Sequence, residues 1–286
     1  MQAHVSPRLA AQALGVSESS LKRWTDQGLL PATTTAGGHR RISVSGLVKF
    51  ARDHGHPIAR PEMLGLATGE TVGRASPRAL LETLSERLLT GDEDAVRRLV
   101  LNAFVDGMGV ATMLDRVVAP CFAALGMGCV DGRFDIYEEH RASELMLRVL
   151  NDLGRLLPLP RQGAPLALGA TPTGDHYTLP LRCVELVLRE AGLVVTNLGC
   201  DLPVQSFVAA IERLSPRVVF LSVSAVASKR RFLGEYAELW RVCSARGVFV
   251  LLGGSALDAA LRSELRYGAA PESLERLVDL VRPLVA

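Results

Sequence analysis

Residues 16–43 read VSESSLKRWTDQGLLPATTTAGGHRRIS, and this stretch decides the fold of the N-terminal region. Ser17 can cap a helix, SESSLKRWTDQG, that stops at Gly28, a residue suited to the left-handed turn that closes helices. Leu21 and Trp24, three apart, share its buried face, whereas Ser19, Ser20, Lys22 and Arg23 point elsewhere. After Leu29-Leu30-Pro31 come three threonines with strand propensity. The pair Gly37-Gly38 then allows a tight turn, and His39-Arg40-Arg41 follow, which makes a small β-wing. Upstream, residues 7–14 read as a short helix with Ser6 as cap and Pro7 first, and Gly15-Val16 as the turn between helices. Downstream, a third helix begins at Ser45 and runs to about Asp53.

The charge follows the same division. Residues 1–60 hold eight Lys/Arg against three acids, a formal +5, which leaves −3 for the rest of a chain whose net charge is +2. A basic head on a mildly acidic body suits contact with a polyanion through the head alone. A helix of this length fits the major groove of double-stranded DNA, where Lys22 or Arg23 reach guanine edges or phosphates. The glycine-pair wing brings Arg40 and Arg41 close to the sugar–phosphate backbone. With R-W at Arg23-Trp24 and G-G-H-R at 37–40, the string resembles the MerR-type or excisionase-type winged helix-turn-helix. The resemblance implies DNA binding by residues 1–56, through Ser19, Ser20, Lys22, Arg23, His39, Arg40 and Arg41. A helix-turn-helix used for protein contacts is the other reading.

Residues 57–76 carry Pro, Gly and Thr with little periodicity and read as a linker. Residues 77–160 are nearly all helical by pattern. One helix starts at Ser76-Pro77 and ends near Gly91, Asp92 caps a second, and a third spans about 109–125. The stretch GMGCVDGRF (126–134) reads as irregular, and DIYEEHRASELMLRVLNDLGRLL opens at Asp135 as a long last helix. Four helices with short joints suggest an antiparallel bundle. From 164 to 286 short β-branched runs (PLALGA, LVVTNLG, RVVFLSVSA, VFVLLGG) alternate with helical stretches. That is the pattern of an open parallel α/β, Rossmann-like sheet, whose ligands sit beyond the carboxyl ends of the strands. After Tyr267-Gly268 too little chain remains for a full fifth strand, so that edge is short or absent.

Bundle followed by sheet resembles a cobalamin-binding module with its helical cap. With the head, the whole chain resembles the CarH/LitR class of cobalamin-dependent regulators. That class carries D-x-H-x-x-G after the first strand, a serine motif after the third and a glycine pair after the fourth. Here these are TPTGDHYTLP (171–180), LSVSAV (221–226) and LGGS (252–255). The resemblance implies that Ser222 and Ser224 meet the buried nucleotide base of a cobalamin, and that Gly253-Gly254 allow its tail to approach. Counting from Asp175, the axial histidine position falls on Tyr177 and the glycine position on Pro180, while His176 stands one place early as the candidate metal ligand. In the bundle, the class's W-x9-E-H survives as Cys129-x9-Glu139-His140. Val130 stands where a photoproduct histidine is found. Cysteine is a soft ligand that can take a metal itself.

Several readings stay open. The ligand held between bundle and sheet can be cobalamin, or haem bound by His140, His176, Tyr177 or Cys129, or nothing, with the module kept for protein contacts. A corrinoid carrier for methyl transfer is a different class, which the DNA-reading head argues against. An enzyme is not expected, since there is no catalytic triad, P-loop or zinc spacing. Apolar residues at 48% and charged residues at 22% suit packed domains. No run of about 18 uninterrupted apolar residues predicts a membrane span. Five scattered cysteines and the N-terminal residues point to a reduced, cytoplasmic protein without a secretory leader. The class implies a homo-oligomer.

Overall fold

The computed structural model describes residues 4–66 and 76–285. By its contacts the chain divides into two compact units, 1–159 and 160–286.

The first unit opens with the head. Strand β1 (His4–Val5) precedes helix α1 (Pro7–Leu14), which Ser6 caps and Pro7 starts. Helix α2 (Glu18–Asp26) is capped by Ser17, strands β2 (Ala32–Thr34) and β3 (Arg40–Ser43) form the wing, and α3 (Val44–Asp53) is capped by Ser43. Strand β1 was not expected: it pairs antiparallel with β3, so the wing belongs to a three-stranded sheet of order β1-β3-β2. Leu21, Leu30, Ile42, Leu47 and Val48 are fully buried beneath these elements. The expected linker needs correction over its first half. Residues 61–64 form a 3-10 turn, the Arg60 N–H donates to the Ala13 carbonyl at 3.0 Å, and Leu64 and Leu66 are buried. Residues 67–75 of that linker lie outside the described residues.

The bundle consists of α4 (Pro77–Thr90), α5 (Glu93–Val105), α6 (Val110–Met113) running through a π-turn (Leu114–Val118) into α7 (Ala119–Val130), and α8 (Ile136–Leu156). The π-turn has a local cause. Pro120 has no N–H to give and its ring would press on the carbonyl four residues back, a clash that a wider turn relieves. Helix α7 continues five residues past the expected end and takes in Gly126, Gly128 and Cys129. Tertiary packing overrides the weak helix propensity of glycine here: a Cβ on Gly128 would sit 2.2 Å from the Phe134 ring, so glycine lets that ring seat against the helix. The run Val110–Val130 is long and apolar enough on average to cross a membrane, although Asp115 and Arg116 interrupt it; its segments pack against α4 and α8 within the bundle.

The second unit is the open parallel α/β sheet. Strands β4 (Leu166–Ala170), β5 (Val194–Asn197), β6 (Val218–Ser222) and β7 (Phe249–Gly253) lie in the order β5-β4-β6-β7, all parallel. Helices α9 (Thr178–Glu190), α10 (Val204–Leu214) and α11 (Lys229–Ala245) connect them; short α12 (Ala259–Ser263) and α13 (Leu274–Val285) follow. Alternate residues of the strands serve opposite faces. Leu168, Ala170, Val219, Leu221, Val250 and Leu252 pack with α10 and α11, while α13 packs on α9. The fifth strand is reduced to a single bridge between Leu251 and Ala269. The chain leaves β4 for β5 on one side and returns to β6 on the other. The switch point, where such sheets hold ligands, is therefore the crevice between the ends of β4 and β6.

Candidate functional site

Two places carry the chemistry, one in each unit. In the head, Trp24 of α2 is packed inward, its ring 4.9 Å from Phe50 and 5.0 Å from His56. That anchoring turns the opposite face of α2 outward, and Ser19, Lys22 and Arg23 are exposed there, with Ser20 half-buried. Ser19 and Ser20 hydroxyls both lie within hydrogen-bond distance of the Ser17 hydroxyl, 2.8 and 3.0 Å, so the serines also close the helix start. In the wing, the Gly38 backbone at φ +79° makes the turn that Thr35 and His39 close, and His39, Arg40 and Arg41 are exposed. Arg40 is not a free cation. Its Nη1 lies 2.7 Å from Asp26 Oδ1 and donates to Thr25 Oγ1 at 3.2 Å, which ties the wing to the end of α2.

At the switch point of the sheet the governing residue is Asp175, which is fully buried. Its Oδ2 accepts the N–H groups of Ser224 at 2.6 Å and Ala225 at 3.1 Å, and its Oδ1 accepts the Tyr177 N–H at 3.0 Å. Its carbonyl accepts the Asp201 N–H and the Thr171 hydroxyl. Asp201 in turn accepts the Gly174 N–H at 2.8 Å from a left-handed backbone, φ +53°. One carboxylate therefore joins the loop after β4 to the loop after β6, and the loop after β5 is bound in with them. His176 and Tyr177, the sequence candidates for an axial ligand, are both exposed. Asp175 has three amides to satisfy and does not serve as the acceptor that would orient an imidazole.

The glycine pair divides in role. A Cβ on Gly253 would meet nothing within 4 Å, whereas one on Gly254 would land 2.1 Å from the Val223 carbonyl oxygen, at φ +124°. Gly254 is required by the neighbouring backbone, and Gly253 alone faces open space. Ser222 is buried and Ser224 half-buried, the latter engaged through its N–H as above. In the loop after β4, Thr173 Oγ1 is buried without a hydrogen-bond partner.

The bundle candidates do not gather into a metal site. Glu139 accepts the Ser143 hydroxyl at 2.9 Å and lies 3.8 Å from an exposed His140. The Cys129 thiol donates to the Asp135 carbonyl at 3.7 Å. Its pKa is raised, first by desolvation and then by the carboxylates of Glu139, Glu138 and Asp135. Among the described residues no three His, Cys, Asp or Glu side chains stand together as a metal site. Val130 is almost wholly exposed, and the large apolar side chains of Met127, Ile136 and Tyr137 around the α7–α8 corner are exposed over most of their surface.

Comparisons with known proteins meet this geometry at both places. Residues 6–55 match the family model of a helix-turn-helix domain, and residues 80–153 and 165–278 match two models of B12 binding domains. The head of the chain is thus similar to a helix-turn-helix domain, and its bundle and its sheet are each similar to a B12 binding domain. It is similar to the HTH-type transcriptional repressor CarA of Myxococcus xanthus, 29% identical over 96% of this chain and 94% of that one. It is also similar to the repressor CarH of the same organism, 27% identical over 87% and 88%. In fold, 73% of the chain superposes on all of the monomethylamine corrinoid protein of Methanosarcina barkeri with a TM-score of 0.62 at 15% identity.

Proposed function

We propose that the chain binds operator DNA through α2 and the wing, and that a cobalamin-type tetrapyrrole taken up by the sheet module controls that binding. Lys22 and Arg23 serve as base-edge or phosphate contacts and Arg41 as a backbone contact; homo-oligomerisation places two heads on one site. The observation that carries the ligand half is the way Asp175 holds together the loops at the switch point. Asp175 clamps two of these loops, Gly253 leaves space where any other residue would place a Cβ, and the Thr173 hydroxyl lacks a partner. These residues fit a nucleotide tail. The Asp175 carboxylate is held by three backbone amides and His176 is exposed, so no role in the switch is routed through His176. A bound cobalamin would supply a bulky group whose upper ligand can be exchanged or lost. The chain's own part is to hold its tail and exclude water from it.

The test is an absorbance spectrum of the purified full chain after incubation with hydroxocobalamin, adenosylcobalamin and haemin in turn, followed by removal of free pigment. Retention of a corrinoid spectrum, with a changed affinity for DNA selected by the chain, is the expected result. Retention of haemin alone replaces the ligand, and retention of none of the three sinks the ligand half while leaving DNA binding standing.

A further inference from the structure

The head is fastened to the bundle at a place that neither DNA reading nor ligand binding uses. Arg52, one residue before the end of α3, lays its guanidinium 3.8 Å from the centroid of the Phe104 ring. Its Nη2 donates to the Met108 carbonyl at 3.3 Å. Phe104 lies in the last turn of α5 and is buried, and Met108 follows just beyond the helix end. Three effects coincide on this cation: the ring's negative face, a carbonyl acceptor, and the partial negative charge at a helix C-terminus. A flat, forked guanidinium satisfies all three at once, and a lysine would give up the stacking.

The same helix α3 also packs against α8. Helix α8 has 21 residues, a length of about 30 Å, and its first turns carry Glu139 and His140 beside the exposed apolar corner of Met127, Val130, Ile136 and Tyr137. One continuous element thus runs from that corner to the helix that backs the DNA reader. The docking does not cover the reading face, since Lys22, Arg23 and Arg41 remain exposed. An occluding, autoinhibitory contact is therefore not what the geometry describes.

We propose that Arg52 is a latch that makes the bundle set the orientation of the DNA reader, with α8 as the strut that carries an event at the α7–α8 corner to α3. The proposal rests on the head reading DNA and requires no particular ligand. Without the latch the head would keep only its remaining α3–α8 packing against the bundle, and the chain would still touch DNA but no longer in a fixed arrangement.

The experiment compares the full-length wild type with Arg52→Ala and Arg52→Lys. It measures hydrogen exchange in α3 and at the end of α5, limited proteolysis within 57–76, and affinity for two duplexes. One duplex is selected in vitro by the wild-type chain and the other has random sequence. In Arg52→Ala the opening of the head should rise roughly five- to thirtyfold, cleavage should quicken, and preference for the selected duplex should fall by about fivefold or more. Binding to the random duplex should stay the same, because the reading cations are untouched. Arg52→Lys, which keeps the charge and the helix propensity, should move the same way by less and guards against simple misfolding of the alanine variant. Wild-type exchange and cleavage in both variants would show that Arg52 holds nothing. A loosened head with unchanged preference would show that the contact holds without orienting. Either result overturns the proposal.

Discussion

The head and the ligand end of the sheet display their charges in opposite ways. In the head, Lys22, Arg23 and Arg41 stand exposed on a scaffold closed beneath them by Trp24, Leu21 and Ile42. At the sheet, Asp175 is turned inward and engaged by three backbone amides, while His176 and Tyr177 beside it are exposed. A polyanion is met by side chains, so the head needs freely presented cations on a rigid support. A tail in a crevice is met by shape, so the sheet spends its charge on fixing the loops that make the crevice. The two regions should therefore fail differently when altered, and four sets of substitutions measure how far that contrast goes.

The largest effect is expected at Gly254. A leucine there would drive its Cβ into the Val223 carbonyl at a backbone angle that L-residues avoid. Gly254→Leu should lose the folded α/β unit, read as loss of its cooperative melting transition with the head's transition retained. Gly253→Leu, one residue away and facing open space, should fold normally and lose corrinoid retention. Equal melting curves for both variants would contradict the separation of roles within the pair.

Asp175→Ala should come next. It leaves three amides without their acceptor in a place water does not reach freely, at a cost of roughly 3 kcal/mol or more, measured by denaturant unfolding of the full chain. Asp175→Asn keeps one acceptor oxygen and should lose less. If the alanine variant unfolds like the wild type, the carboxylate is not what joins the two loops, and the contrast with the head disappears.

How much of this was legible in the sequence follows from the kind of partner each residue has. The caps Ser6, Ser17 and Asp92, the four strands and the outward face of α2 follow from local pattern, because each depends on residues three or four places away. The motif at 171–180 marks Asp175 as a candidate, but its partners are main-chain N–H groups of residues 224 and 225, which any sequence would supply. Arg52 has no local signature, since its partners lie at and just beyond the end of another helix, 52 and 56 positions later. Strand β1 is two residues long and is a strand only because β3 is beside it. The extension of α7 through two glycines depends likewise on the Phe134 ring. Local periodicity specifies elements and exposed faces; the clamp, the latch and the division of the glycine pair are tertiary facts.

Within the head, Arg23 and Arg41 should separate by what they touch. Arg23→Ala should cost about 1–3 kcal/mol of binding if it meets a base edge, concentrated at one base pair of the selected site. Arg41→Ala should weaken all sequences alike and reduce the slope of log affinity against log salt by about one contact. Competition binding over a panel of singly altered duplexes at several salt concentrations checks both. Uniform loss in the Arg23 variant would make it a phosphate contact.

The smallest effect, and the finest test of the contrast, belongs to Arg40. The sequence groups it with Arg41 as a cation for the DNA backbone, but the structure pairs it with Asp26, each side chain 46% exposed. A pair that open contributes about 0–1 kcal/mol to stability, so its value lies in holding the wing at a set angle to α2. If Arg40 is such a strut, Arg40→Ala and Asp26→Asn should each lower affinity for the selected duplex a few-fold by the same route. The double variant should then be no worse than either single one, as expected of two residues in one interaction. The salt slope should stay at its wild-type value in all three. If instead Arg40 leaves Asp26 for a phosphate, the two substitutions should act in opposite directions. Arg40→Ala would flatten the slope, and Asp26→Asn, by freeing the guanidinium and removing a negative charge near the DNA, would strengthen binding. The sign of the Asp26→Asn effect therefore decides whether this cation belongs with the exposed readers of the head or with inward-turned supports like Asp175.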